Sequence, residues 1–159
     1  RDRALRREVA YAPGSRIDFV LDRAEGPHFI EVKNCHLVYP DRRGYFPDSV
    51  SERAARHMSE LAELARAGER ASVIFTVQRP DARSIRPSDL HDPRFATEVR
   101  RAAEAGVRFT ALAIRPTLTG YVVESPIPVD VRPYRFAHLA EIRSDRLRYS
   151  GWERRGKLR

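Results

Sequence analysis

Thiols are nearly missing from this chain: Cys35 is its single cysteine in 159 residues. That excludes an internal disulfide and a cysteine-rich zinc site, and it fits a reducing, cytoplasmic setting. Long apolar runs are missing too. None approaches the about 20 residues that a membrane-crossing helix needs, so no membrane partner is expected. No apolar stretch follows the Arg-rich start, so no secretory signal peptide is visible. Acidic residues fall short of basic ones, 22 against 30, for a net charge of +8. The excess sits at the ends: residues 1–7 hold four Arg and one Asp, residues 131–159 carry +6, and residues 8–130 carry −1. Nucleic acid is the polyanion that such ends suggest. The plainer alternative is a pair of soluble Arg-rich tails that bind polyanions loosely. At 42% hydrophobic, the chain is long enough for one globular domain with a real core.

What is present begins with two alternating segments, Gly14–Phe19 and Ile30–Asn34, separated by the polar turn Asp22-Arg23-Ala24-Glu25-Gly26-Pro27. Alternation and β-branched or aromatic residues mark both as strands. Ile17 and Phe19 then share one face and Asp18 takes the other, while Ile30 and Val32 oppose Glu31 and Lys33. A turn symmetric about Ala24 and Glu25 sets Asp18 across from Glu31. Like charges in that position weaken a sheet unless a cation lies between them, so Asp18…Glu31-x-Lys33 reads as a divalent-metal site with an ammonium beside it. Arg7–Tyr11 reads as a further strand. A connection centred on Pro13 sets Glu8 opposite Asp18, which predicts three carboxylates in line across a meander. A slip of one residue at that three-residue loop would send every side chain to the other face.

After an irregular stretch, His36–Phe46, Ser49 and Glu52 have capping-box spacing. Ala54, Ala55, Met58, Leu61, Ala62 and Ala65 follow as one helical stripe that stops at Gly68. Ala71–Val77 suits a buried strand. Asp92 with Pro93 opens a second helix that presents Phe95, Val99, Ala102 and Ala103 and ends at Gly106. Val107–Ile114 alternates as another strand, with a hairpin partner near Tyr121–Glu124. The order β-β-β-α-β-α-β predicts an α/β fold whose mixed sheet is flanked by helices. Beyond Pro128 the pattern decays, apart from a short helix expected between Ala137 and Ile142.

The segments SRIDF (15–19), FIEVKN (29–34), GYFPDSVSERAARH (44–57) and DPRFATEVRRAAEAGV (92–107) resemble the sugar fermentation stimulation protein family, in the family's order and spacing. The resemblance covers roughly residues 5–129. It implies a PD-(D/E)XK, restriction-endonuclease-like core over residues 1–129, with the family's N-terminal OB-like domain absent. Residues 130–159 would then be a basic C-terminal extension of unknown structure. It also implies DNA binding linked to the regulation of sugar, particularly maltose, utilisation. Asp18, Glu31 and Lys33 fall on the catalytic positions of the nuclease motif. Asp18 and Glu31, with Glu8 as a further ligand, would hold Mg2+ or Mn2+, which favour hard oxygen donors. Lys33 would orient the attacking water or stabilise charge on phosphorus.

Arg16, Arg53, Arg56 and His57 are candidate phosphate or DNA contacts; Arg53 and His57, four apart, share a helix face. His57 is alternatively a general acid, a capping residue or a surface residue. Asp48 and Glu52 are candidates for groups that support the ligands from behind, although Glu52 is equally half of a capping box. Tyr45 and Phe46 suit either base stacking or core packing. Cys35 reads as inert strand filling. Trp152 among Arg154, Arg155 and Lys157 has the composition of a nucleic-acid contact or of a tail. Two other readings stand beside the leading one: a catalytically silent nucleic-acid-binding module, and a nuclease acting on RNA or nucleotides.

Overall fold

The computed structural model describes residues 4–149. Three strands come first, β1 (Leu5–Ala12), β2 (Ser15–Arg23) and β3 (Gly26–Cys35), joined by tight turns into an antiparallel meander. Each turn places a glycine in the left-handed region, Gly14 at φ 73° and Gly26 at φ 107°, where a Cβ would be penalised. The registers are those the turn symmetry predicts. Phe19 faces Ile30 and Arg23 faces Gly26, while Arg7 faces Phe19 and Val9 faces Ile17.

The facing of β2 differs from expectation. Ile17 is fully buried and Phe19 only partly so; burial falls at Ser15, Ile17 and Val20, and the alternation therefore breaks at Asp18 and Phe19. The cause is local. The Asp18 carboxylate takes the backbone N–H of Val32 at 2.7 Å in place of a ladder bond. Across from Asp18, Glu8 adopts φ 50°, a conformation that costs a non-glycine residue roughly 1–2 kcal/mol.

The chain continues through β4 (Arg43–Phe46), α1 (Glu52–Arg66), β5 (Arg70–Val77), β6 (Ser84–Pro87), α2 (Pro93–Glu104), β7 (Arg108–Thr117), β8 (Gly120–Ile127) and α3 (Ala137–Tyr149). The main sheet runs β1-β2-β3-β5-β7-β8, parallel in its centre and antiparallel at both ends. Two successive crossovers of the same hand in one direction put α1 and α2 on the same face, where they pack side by side. Under them Val73, Phe75 and Val77 of β5 meet Ala55, Met58 and Leu61 of α1 and Phe95 and Val99 of α2 as one core. The stretch expected to be irregular holds β4, which pairs in parallel with β6. Both strands are only four residues long, too short for a pattern to mark them.

The start of α1 is also corrected. Its N-cap is Ser51, whose hydroxyl accepts from Ala54 N at 3.2 Å, and not Ser49. Asp92 sets that position. Its Oδ2 accepts from Ser51 N at 2.8 Å while its Oδ1 caps α2 through Phe95 N at 2.9 Å. One carboxylate, 1% exposed, thus serves the starts of both helices.

Gly44 in β4 has no room for a side chain. A Cβ there would stand 2.4 Å from Ile85 Cδ1 and 2.9 Å from Cys35 Sγ. Gly44→Ala is expected to cost about 1–3 kcal/mol by overpacking, read as a lowered urea midpoint. Adding Ile85→Val removes the closest atom and should recover part of the loss; an unchanged midpoint for Gly44→Ala alone would contradict this packing.

Residues past 129 continue onto the same body. Arg86 pairs with Asp130 at 2.6 Å and stacks 4.8 Å above the Tyr134 ring, and Leu139 of α3 is fully buried beside Tyr39 and Tyr45. The hydrogen bond from Arg132, joined by Arg86, holds the Asp130 carboxyl well below the usual carboxylate range. The helix expected over Ala137–Ile142 runs to Tyr149. Trp152, Arg154, Arg155 and Lys157 lie outside the described residues.

Candidate functional site

Glu31 lies in the middle of β3, beside Val73 of the parallel neighbour β5, and Lys33 follows beside Phe75. That register turns both polar side chains toward α1, into the edge of the apolar layer. Glu31 is 2% exposed. A buried carboxylate is costly unless donors surround it, and two do. Lys33 Nζ and His57 Nδ1 both donate to Oε1, the latter at 2.8 Å. Oε2 is also buried and has no hydrogen-bond partner among the described residues. Burial alone would raise the Glu31 pKa; the His57 hydrogen bond and the Lys33 ammonium outweigh it and hold the group below its ordinary value.

Asp18 stands on the adjacent strand, its Oδ2 occupied by Val32 N. Its pKa moves the other way. Burial raises it most, and the charges of Glu31 and Glu8 add to that against the Val32 N–H and Lys33. Asp18, Glu31 and Lys33 are therefore brought together, with Glu8 near enough for its charge to be felt. Among the described residues, however, no three His, Cys, Asp or Glu side chains are grouped closely enough to hold a metal ion. Glu8 stands at the anticipated register without closing a three-carboxylate cage.

Glu8 instead lines a cleft of about 520 Å³ together with Ser15, Arg16, Arg53 and Arg56. Three of the four sequence-derived phosphate contacts thus share one concavity, between the β1–β2 hairpin and the first turns of α1. Glu60, which sequence reasoning did not single out, ties the two walls together. It accepts from Tyr11 OH at 2.7 Å and Ser15 Oγ at 2.8 Å, and Arg56 Nε is 3.7 Å away. Its place one helical turn after Arg56 was the available signal.

His57, the fourth candidate, is not in the cleft. It is 2% exposed and belongs to the buried stripe with Ala54, Met58 and Leu61, so solvent-side contact with phosphate is corrected to contact with Glu31. Its spacing of three from Ala54 and four from Leu61 placed it on that stripe. Glu52 is corrected likewise: it is exposed, outside any capping box, and pairs with Arg94 of α2. Asp48 is exposed in the turn before α1. Tyr45 is buried with its hydroxyl on Asp41 at 2.6 Å, and Phe46 packs 5.5 Å from Phe75 and 5.3 Å from Phe95; both are core residues. Burial pushes the Cys35 thiol up to about 12, so it carries no thiolate reactivity at neutral pH.

An antiparallel meander leading into parallel crossovers, with Asp18 and Glu31-x-Lys33 on neighbouring strands, defines a restriction-endonuclease-like fold. The family described as "Sugar fermentation stimulation protein RE domain" matches residues 1–120. The chain belongs to that sugar fermentation stimulation protein family. The homolog from Thioalkalivibrio sulfidiphilus is 41% identical over 128 residues, covering 80% of this chain and 54% of that protein. The homolog from Methylobacterium sp. (strain 4-46) is 43% identical over 126 residues, covering 79% and 52%. The solved structure of SfsA from Pyrococcus furiosus in complex with Ca2+ has a TM-score of 0.73 at 32% identity, covering 79% of this chain and 54% of that one. The chain spans about half the length of the curated relatives it matches.

Two oxygens of the kind a hard divalent cation takes stand on neighbouring strands. Glu31 Oε2 is a buried oxygen with no partner among the described residues, and Asp18 on the next strand has one oxygen beyond the Val32 bond. Both are oxygen donors of the kind Mg2+, Mn2+ and Ca2+ take. No helix among the described residues is long and apolar enough to cross a membrane.

Proposed function

We propose that this chain binds DNA through the Arg16–Arg53–Arg56 cleft and holds one divalent cation, Mg2+ or Mn2+, on Asp18 and Glu31 as a metal-dependent phosphodiesterase site. The observation that carries this reading is the buried, unpartnered Glu31 Oε2 beside a carboxylate whose charge its surroundings disfavour. The Ca2+ named with the Pyrococcus furiosus relative supports a divalent ion in this fold. When bound, such an ion supplies Lewis-acid polarisation of a phosphodiester oxygen. Arg16, Arg53 and Arg56 seat the backbone phosphates, and Arg is suited to this by its bidentate fork. Lys33, held on Glu31, directs its ammonium toward charge developing at phosphorus. Glu8, on the cleft wall, adds negative charge to the cation side. The family resemblance carries the further proposal that the protein acts in the cytoplasm in the control of sugar, particularly maltose, utilisation.

A second reading, a catalytically silent DNA-binding module, draws on the lack of a third grouped carboxylate among the described residues. Plasmid nicking with Mg2+ or Mn2+, run beside Asp18→Ala and Lys33→Ala, separates the two. Nicking by the wild type, lost in both variants with DNA retardation kept, supports the cleaving site. Retardation without nicking in either metal leaves the silent module. Arg53→Ala with Arg56→Ala should weaken retardation and flatten its salt dependence by about 2 in log–log slope. If that pair changes neither, the cleft is not the contact surface.

A further inference from the structure

Resting on the cation reading of Asp18 and Glu31, we propose that His57 is the positioning residue of that site: it clamps Glu31 through Oε1 so that a cation meets Oε2 alone. Glu31 and His57 come from different elements, β3 and α1, and meet with each residue 2% exposed. The 2.8 Å contact joins a carboxylate, which only accepts, to Nδ1, which must therefore carry the proton. Lys33 donates to the same oxygen. An oxygen with two lone pairs and two donors has no acceptor capacity left. A cation would thus find Glu31 monodentate, with its side chain already ordered before the ion arrives. Without His57, Lys33 remains as a tether, but it is a flexible one reaching from two residues along the same strand, and the rotamer cost of fixing Glu31 then falls on binding. The neighbours of His57 on the buried stripe, Ala54, Met58 and Leu61, are apolar. A polar ring there departs from the pattern of its helix face, and packing alone would favour leucine.

Calorimetric Ca2+ titration of the 159-residue chain and of His57→Leu, His57→Gln and His57→Asn tests the assignment, with thermal melting of each protein without metal. An Asn side chain sets an amide N–H near the place of Nδ1, whereas Gln reaches toward that of Nε2. Leu and Gln are expected to weaken Ca2+ roughly 10–100-fold, the usual loss for a group that orients a ligand, and Asn to recover most of it. A purely structural role would instead make affinity follow melting temperature through all three variants, with Leu, which strips a donor from the buried Glu31 carboxylate, melting lowest. Equal affinity in all four proteins, or affinity that merely tracks melting temperature, overturns the role of His57. Should Leu fail to fold, the contrast between Asn and Gln decides alone. A wild type that binds no Ca2+ fails the cation reading itself, which distinguishes that failure from this one.

Discussion

Asp18→Asn will weaken Ca2+ or Mn2+ binding on the order of 100-fold or more while making the metal-free protein harder to melt. Asparagine keeps an oxygen for the Val32 N–H, which Asp18 now holds at 2.7 Å, so the β2–β3 contact survives. It removes a charge that burial, Glu31 and Glu8 all disfavour. The loss on the cation side follows from dropping one of two carboxylates in a site whose affinity scales with ligand charge. The gain follows from relieving a destabilised functional group. The direction expected is a higher Tm for the metal-free protein. Calorimetric titration and melting without metal read the two effects separately. An Asp18→Asn protein with unaltered Ca2+ affinity would remove Asp18 from the ligand set, and one that melts lower would show that its charge is compensated in the fold.

Phe75→Ala will bring the protein close to unfolding. Phe75 is fully buried, lies 5.5 Å from Phe46, and sits at the centre of the layer where β5 meets both helices. Truncating such a ring costs about 3–5 kcal/mol in lost transfer energy and cavity. That is a large part of the 5–15 kcal/mol that typically holds a domain together. Tm should fall by roughly 10 °C or more, with the urea midpoint lowered at constant slope. The effect reaches the site, because Phe75 is the register neighbour of Lys33. Cation affinity should fall with stability, unlike the Asp18→Asn case. A midpoint within about 1 kcal/mol of the wild type would mean that the core relaxes into the space.

The parts of the fold legible in the sequence are those where one local rule governs. Turn symmetry around Ala24-Glu25 and around Pro13 gave both hairpin registers, and with them the placing of Glu8, Asp18 and Glu31 on neighbouring strands. Asp92-Pro93 marked α2 because cap and first-turn proline act within three residues. Features set by distant partners were not legible. Ser51 caps α1 because Asp92, 41 residues away, holds its N–H; Ser49 satisfied the local pattern equally well. β4 and β6 pair with each other from far apart in the chain and are bridged by Val38 and Val129, none of which is a local signal. The broken alternation at Asp18 goes with a side chain replacing a ladder bond, and the left-handed Glu8 across from it carries no sequence signal. At the site, the acidic pair and Lys33 could be read from spacing. The burial of His57 against Glu31 needed knowledge of which side of the sheet α1 would cover. Arg16, Arg53 and Arg56 were chosen for charge, and the fold gathers them in one cleft.

The carboxylate of Asp92 makes the beginnings of α1 and α2 a single mechanical joint. If the front end of α2 frays, Asp92 moves and the Ser51 N–H at the front of α1 loses its acceptor too, so opening the second helix loosens the first. Arg53 rides on one of those turns, and the wall of the cleft is therefore braced by a residue that never faces it.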